Sequence, residues 1–260
     1  MKSNSKIDWQ KGYFGKAYLD IYSKHFFDKK EIAQEADFVI KTLKLKRGKR
    51  VLDLACGFGK HIPYFLKRGM KVSGLDISLD YLKFAWEKIP KTHRKKTGLI
   101  RGDMRSLPYK DESFDAVVCL FNSFGYFPNA KPNPYLGVLK EARRILKPGG
   151  GFFLEITNKR AVLEMVKHSP QTLQCGPGFL IHELWDYDRG DKMLYNKTNF
   201  TIKGKSTTTG YQLRLFTRGE LARLFERARL VPGISCGDYK GNPYSPGSSS
   251  FLLMIGRRKG

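Results

Sequence analysis

The sequence predicts an α/β fold: a mostly parallel sheet with helices on both faces, followed by an antiparallel β insert. Three observations predict it. Short apolar runs alternate with amphipathic helical stretches up to about residue 160. The first run, Arg50-Val51-Leu52-Asp53-Leu54, passes directly into Ala55-Cys56-Gly57-Phe58-Gly59, which reads as a buried strand turning sharply beneath a ligand. Beyond residue 160, strand-like runs follow one another with no helical stretch between them.

Each element has its own signal. Residues 30–43 set Ile32, Ala36, Val39, Ile40 and Leu43 at helical spacing ahead of the first strand. Residues 71–76 form the second strand, and Ser78 caps a helix whose inner face is Leu82, Ala85, Trp86 and Ile89. A third strand ends at Asp103, and a fourth runs over residues 114–121. Asn133 caps a helix over 134–146 with Pro134 at its first position, and Lys147-Pro148-Gly149-Gly150 stops it before a fifth strand at 151–157. Residues 179–188, 192–202 and 206–216 read as three antiparallel strands, with turns at 188–191 and near Gly204. Thr217-Arg218-Gly219-Glu220 is a capping box for a helix burying Leu221, Leu224, Phe225 and Ala228. Two strands, 231–239 and 250–257, close the chain.

The 260 residues are enough for one α/β domain with additions. No apolar run approaches the ~18 residues of a membrane helix, and residues 1–6 lack the apolar core of a secretory signal. Cys56, Cys119, Cys175 and Cys236 include no CxxC pair, so neither disulfides nor a zinc site is expected and a reducing cytoplasm fits. Against 24 Asp+Glu stand 48 Lys+Arg, a net charge of +24. A field of that sign admits nucleic acid or another anionic partner. Dense basic clusters occur only at 44–50 and 91–96, and neither carries an aromatic-interleaved RNA-reading signature.

In open α/β sheets, ligands bind at the carboxyl ends of the strands. Three such ends carry acids here: Asp53, Asp76 and Asp103. Gly57 and Gly59 lack Cβ, so the backbone can turn tightly and approach a ligand. Asp76 lies where an acid accepts bonds from ribose hydroxyls. A nicotinamide site would need a third glycine, and Ile62 stands there; no Walker lysine is present either.

The segments DLACGFG (53–59), GLDIS (74–78), RGDMRSLPY (101–109), FDAVVCLFNSFGYF (114–127) and LKPGG (146–150) are ordered and spaced as in the class I S-adenosylmethionine-dependent methyltransferases, which the chain resembles over residues 12–160. The resemblance implies a Rossmann-like seven-stranded sheet, with residues 1–160 as the cofactor-binding core, 161–216 as an antiparallel lid and 217–260 completing the sheet. It implies S-adenosyl-L-methionine as cofactor and S-adenosyl-L-homocysteine as product. Asp53 would accept from the methionine ammonium or an ordered water, and the turn from Ala55 through Gly57 to Gly59 would pass under the methionine half. Asp76 would hold the ribose with Ile77 against adenine. Asp103 would take the adenine amino group beside Met104, and the backbone near Phe121 would reach the ammonium. The leading helix (13–22) would cover the cofactor and offer Tyr22, or Tyr13 or Tyr18, to its carboxylate.

Methyl transfer is an in-line displacement that mainly needs alignment and exclusion of water, with a base only for a protonated nucleophile. Candidates for the acceptor side are Tyr126 and His61 as catalytic groups. Asn122 and Phe124 would line the pocket, with His182, Trp185, Tyr211 and Arg214 in the lid. Asn133-Pro134-Tyr135 lies too far beyond strand four to be the base-amine signature, and Asn242-Pro243-Tyr244 sits in a distant loop. The expected activity is methyl transfer to N or O of a small molecule. The alternative is an RNA or protein methyltransferase docking an anionic partner on its basic surface. A non-catalytic cofactor-binding scaffold is the third.

Overall fold

The computed structural model describes residues 12–25, 28–127 and 133–260; the expectation for the first six residues lies outside them. Seven strands form one sheet in the order β10-β11-β5-β4-β1-β2-β3. These are β1 (Arg50–Leu54), β2 (Lys71–Asp76), β3 (Thr97–Arg101), β4 (Phe114–Cys119), β5 (Leu146–Thr157), β10 (Leu230–Cys236) and β11 (Phe251–Arg258). β1 pairs parallel with both β2 and β4, whereas β11 runs antiparallel to β5 and β10. The chain moves outward in one direction from β1 through β3, and in the other from β4 to β5. The ligand crevice of such a sheet lies where that order reverses, at the ends of β1 and β4.

Alternation along each strand divides the core. Leu52, Leu54, Phe152, Leu154, Leu252 and Met254 face α5 (Pro134–Ile145) and α7 (Arg218–Arg227). Val51, Phe153, Leu253 and Ile255 face α2 (Lys29–Leu43), α3 (Ile62–Lys67) and α4 (Leu79–Lys88). Both faces are therefore dry, and the strands read as near-continuous apolar runs. The helix starts follow from capping. Ser78 Oγ accepts from Tyr81 N at 3.3 Å, and Asn133 Oδ1 accepts from Tyr135 N at 3.0 Å. Thr217 and Glu220 form the complete capping box.

The second sheet has four antiparallel strands in sequence order: β6 (Gln171–Gly176), β7 (Phe179–Asp188), β8 (Met193–Ile202) and β9 (Lys205–Arg214). Three strands are legible in the sequence. β6 is missed because as the outer strand it is mostly exposed and carries no apolar alternation. α6 (Lys159–Lys167) also escapes notice, since it buries only Val162. β5 begins earlier than expected. The Lys147-Pro148-Gly149-Gly150 segment does end the helix, but it continues as an irregular stretch of strand whose register shifts opposite β4.

α1 (Lys16–His25) packs against the second sheet and, through Tyr18, against Tyr81 of α4. Tyr13, Tyr18 and Ile21 pack against Ile181 and Phe200 of the second sheet. On the other side, Tyr126 after β4 meets Tyr211 of β9 with ring centroids 5.6 Å apart. The second sheet thus roofs the carboxyl edge of the first. Among the described residues, no helix is long and apolar enough to cross a membrane.

Candidate active site

A cavity of about 330 Å³ opens at the carboxyl ends of β1, β2, β3 and β4. Its floor contains Ala55, Gly57, Asp76, Ile77, Asp103, Met104 and Phe121, all expected there from sequence. Its outer wall includes Phe14, Tyr18 and Tyr126.

The floor is built by backbone geometry. Ala55 leaves β1 with φ 58°, Phe121 and Asn122 follow β4 with φ 60° and 61°, and Gly57 turns at φ 54°. Non-glycine residues in this left-handed region hold of order 1–3 kcal/mol of strain, and they cluster at ligand sites. Asp76 organises the glycine turn: Gly57 N donates to Oδ2 at 2.8 Å, and Ser78 N donates to Oδ1 at 2.8 Å. Burial raises its pKa, and those bonds pull it back. A carboxylate has about four acceptor positions, so two remain for hydroxyl groups of a ligand.

Gly59 serves a different purpose from the one expected. It does not line the cavity. At φ 72°, a Cβ there would stand 2.9 Å from Ala85 Cβ, so the missing side chain lets α4 pack against the turn. Gly57 alone of the pair faces the ligand space.

Asp53 lies beneath the floor, 3% exposed, between Gly74 of β2 and Val118 of β4. Among the described residues its Oδ2 has no hydrogen-bond partner. Burial pushes its pKa up to about 7; nearby Lys60 opposes that shift and Asp76 adds to it. An orphaned buried carboxyl oxygen is costly unless a ligand or water completes it. Asp103 is gripped by the fork of Arg105, whose Nη2 donates at 2.6 Å. Burial raises its pKa, the Arg105 bonds outweigh that, and the net direction is down.

The two strand ends are braced from behind. Glu155, 3% exposed on β5, accepts from Phe121 N at 3.0 Å and from Tyr239 Oη at 2.7 Å through the same Oε2. Lys60 lines the cavity with its ammonium 3.3 Å from the centre of the Phe121 ring and 3.9 Å from Glu35 Oε2. Neither Lys60 nor Glu155 is marked by the sequence pattern. Lys60 follows the glycine turn beside His61 with no pattern of its own; Glu155 reads as one residue of an apolar strand.

Several acceptor-side expectations are corrected. His61 is 3% exposed and outside the cavity, with Nε2 2.5 Å from Glu35 Oε2. Burial drops its pKa to about 4, so it stays neutral and braces α2 against α3. Phe124 is fully buried against Tyr135 and Phe216. Asn122 is tied to the end of β5: its Nδ2 donates to Thr157 Oγ1, and its Oδ1 accepts from Thr157 N, both at 2.5 Å. Tyr22 stacks on Tyr18 at 3.9 Å, one turn beyond the cavity wall, so Tyr18 and Phe14 are the α1-side residues that reach the space.

Strand alternation sorts the roof. His182 is on the solvent face of β7, bonded to Thr172 Oγ1 at 2.8 Å. Trp185 faces inward but packs with Val162, Leu194, Leu213 and Leu215. Arg214 straps β9 to α7, with Nη2 3.0 Å from Glu220 Oε1. Tyr211 lies behind the wall, against Tyr126 and, at 4.5 Å, Tyr13. Tyr126 does line the cavity. Burial holds the pKa of its hydroxyl well above the ordinary value, so the hydroxyl keeps its proton.

The floor fits a nucleoside bearing positive charge. Asp76 and Asp103 at two successive strand ends, with the buried Asp53 beneath them, suit a ligand with hydroxyls, an ammonium and a sulfonium. Such a ligand supplies a methyl group made electrophilic by the sulfonium. Among the described residues no group of three or more His, Cys, Asp or Glu is placed to hold a metal ion. All four cysteines are unpaired.

Known proteins agree with this geometry. Residues 51–150 match the family model of the methyltransferase domain. The chain is 31% identical over 120 residues to the methyltransferase YqeM of Bacillus subtilis, an alignment spanning 46% of this chain and 47% of that one. It thus spans about half the length of that relative. It is 28% identical over 216 residues to the cypemycin N-terminal methyltransferase of a Streptomyces species, spanning 81% of this chain and 84% of the other. In fold it is similar to the CcbJ methyltransferase of Streptomyces caelestis, with a TM-score of 0.80 and 19% identity over 96% of this chain and 99% of that one. The five motifs, the acid-lined strand ends and these likenesses agree: residues 51–150 form a methyltransferase domain, and the chain is similar to S-adenosylmethionine-dependent methyltransferases.

Proposed function

We propose that the protein transfers a methyl group from S-adenosylmethionine to nitrogen or oxygen of a small-molecule acceptor. The observation that carries this reading is the form of the cavity: about 330 Å³, walled by Phe14, Tyr18 and Tyr126, with the second sheet packed behind those rings. That volume is on the scale of small-molecule sites. The relative named an N-terminal methyltransferase favours nitrogen.

In this reading, residues 1–160 bind the cofactor, 161–216 close over the acceptor and 217–260 complete the sheet. Asp53, Asp76 and Asp103 hold the ammonium, ribose and adenine amino group, with Ile77 and Met104 beside the base. Tyr126 orients the acceptor through its hydroxyl, and the aromatic wall keeps water out. Unpaired cysteines fit a cytoplasmic setting.

The charge of +24 favours a second reading, in which RNA or an acidic protein is the acceptor. The clusters at 44–50 and 91–96 immediately precede β1 and β3, at the amino edge of the sheet. The cavity lies at the opposite edge, so a polyanion bound there would keep its nucleotides away from the methyl group. Calorimetry with S-adenosylhomocysteine, followed by methyl transfer from labelled cofactor to panels of small amines, hydroxy compounds and tRNA, tests both. We expect tight product binding and turnover on a small amine or alcohol. Absent product binding overturns the cofactor reading; turnover on tRNA alone overturns the small-molecule one.

A further inference from the structure

The inner face of the roof carries one carboxylate, Glu183 of β7. Its strand neighbours on the same face, Ile181 and Trp185, are buried, and it stands opposite the fully buried Thr198 of β8. Asn196 Nδ2 and Thr198 Oγ1 donate to its Oε1 at 3.1 and 3.2 Å, and Thr198 Oγ1 also lies 2.5 Å from Asn196 Oδ1. Asn196 and Thr198 are themselves 2% and 0% exposed. Two buried polar side chains in the interior of an otherwise apolar strand face are costly unless they hold something in place. What they hold is the orientation of Glu183.

Around that carboxylate stand tyrosines from three separate parts of the chain. Tyr13 and Tyr22 approach from the α1 region with hydroxyls 3.5 Å apart. Tyr126 comes from the loop after β4, and Tyr211 from β9. The negative charge of Glu183 raises the pKa of all four, as a secondary effect beside burial, so their hydroxyls share its field. The rings meet edge to face or tilted: Tyr13 with Tyr211 at 4.5 Å, Tyr126 with Tyr211 at 5.6 Å and Tyr13 with Tyr18 at 5.4 Å. Tyr18 and Tyr126 belong to both this cluster and the cavity wall, and Glu183, Tyr13, Tyr22 and Tyr211 form the layer behind that wall.

In a chain with 48 basic residues, Glu183 forms no ion pair with Lys, Arg or His among the described residues. Its Oε2 accepts no hydrogen bond among them either. A half-buried carboxylate with an open oxygen, on a roof face that packs with a cluster of tyrosines, is an arrangement suited to a cation. The carboxylate supplies a charge-assisted bond, and the rings supply their negative faces. An anionic acceptor would meet repulsion, and a neutral one would leave the carboxylate unpaired.

We infer that the acceptor is a small molecule bearing a positively charged amine, recognised by Glu183 together with the tyrosines around it. This rests on the reading of the cavity as a small-molecule methyl-transfer site. Glu183 is a binding residue here. Burial raises its pKa and the Asn196 and Thr198 bonds counter that rise; an arriving ammonium lowers it further and stabilises the charged form.

The test uses the full chain saturated with S-adenosylhomocysteine, titrated near pH 7.5 with benzylammonium and with its neutral counterpart, benzyl alcohol. The amine should bind at least about tenfold tighter than the alcohol, as expected for a charge-assisted contact over aromatic faces. Glu183→Gln should erase that preference, and Glu183→Asp should keep part of it. Tyr211→Leu, which removes one ring without touching the carboxylate, should weaken the amine about threefold or more. Product affinity should remain at the wild-type value in all three, which also checks that each variant folds. Equal binding of amine and alcohol, no binding of either, or a preference retained in Glu183→Gln overturns the assignment while product binding leaves the cofactor site standing. Failure of the wild-type chain to bind S-adenosylhomocysteine overturns instead the reading on which the assignment rests.

Discussion

The floor and the roof of the cavity face each other, yet they are built by different means. The floor is a backbone structure. Left-handed residues at Ala55 and Phe121, a left-handed glycine at 57 and amide bonds from Gly57 and Ser78 to Asp76 determine its shape. Few residue types satisfy such constraints, so they leave a readable motif. The roof is a side-chain structure. Its backbone is a plain antiparallel meander, and its chemistry depends on which alternate residue faces inward. Glu183 faces in while His182, its immediate neighbour, faces out. A motif search finds the first kind of site and passes over the second.

The largest effect that would test this contrast comes from paired glycine substitutions. Gly59→Val forces a branched side chain into a left-handed position against Ala85. It should cost about 3 kcal/mol or more, lowering Tm by roughly 6–12 °C, and abolish product binding. In the roof, a Cβ at Gly210 would collide with the Asn196 carbonyl oxygen. Gly210→Ala should therefore distort β8 and β9, lose acceptor turnover and retain product binding by calorimetry. Equal loss of product binding in both variants would break the separation of floor from roof.

Next in size is Asp76→Ala, which removes the acceptor of two backbone bonds as well as the proposed ribose contact. S-adenosylhomocysteine affinity should fall by ~1–3 kcal/mol, about 5- to 150-fold. An unchanged affinity would remove Asp76 from the site.

Asp53 gives a pH signature. Its folded-state pKa of about 7 lies above the unfolded value near 3.9. The ligand-free protein therefore has this group's full stabilising contribution below about pH 4 and loses it as pH rises towards 7. Cofactor binding runs the other way, because the ammonium needs the ionised carboxylate. Product affinity should rise by up to about tenfold per pH unit below pH 7 and level off above it. Asp53→Asn should flatten both profiles. Wild-type and variant curves that stay parallel across this range would rule out the ammonium contact.

The smallest effect sharpens the alternation argument. His182→Ala, on the outer face of β7, should change stability by less than about 0.5 kcal/mol and leave kcat/KM within about twofold. A tenfold loss would mean that the outer face of the roof takes part in turnover.

Much of the fold is legible in the chain. Ser78, Asn133 and the Thr217–Glu220 pair announce their helices because capping needs a side chain that bonds the first free amides. The strand ends at Asp76 and Asp103 and the glycine turn are equally plain. β6 and α6 escape because they bury too little to impose a pattern. Phe124 and Tyr126 show the limit for the site. They stand two residues apart in one aromatic segment with nothing local to separate them, yet one is core and the other lines the cavity.

The sequence by itself determined the methyl donor and the sheet that carries it. The donor site is made from residues close together along strand ends, where backbone geometry restricts residue choice. Only the tertiary structure decided that His61 is a neutral brace, that Gly59 accommodates a helix, and that the roof face carrying Glu183 clusters with tyrosines 13, 22, 126 and 211. Those groups lie up to about 200 residues apart in sequence. Long-range packing and strand register bring them together, and neither leaves a local signature in the chain.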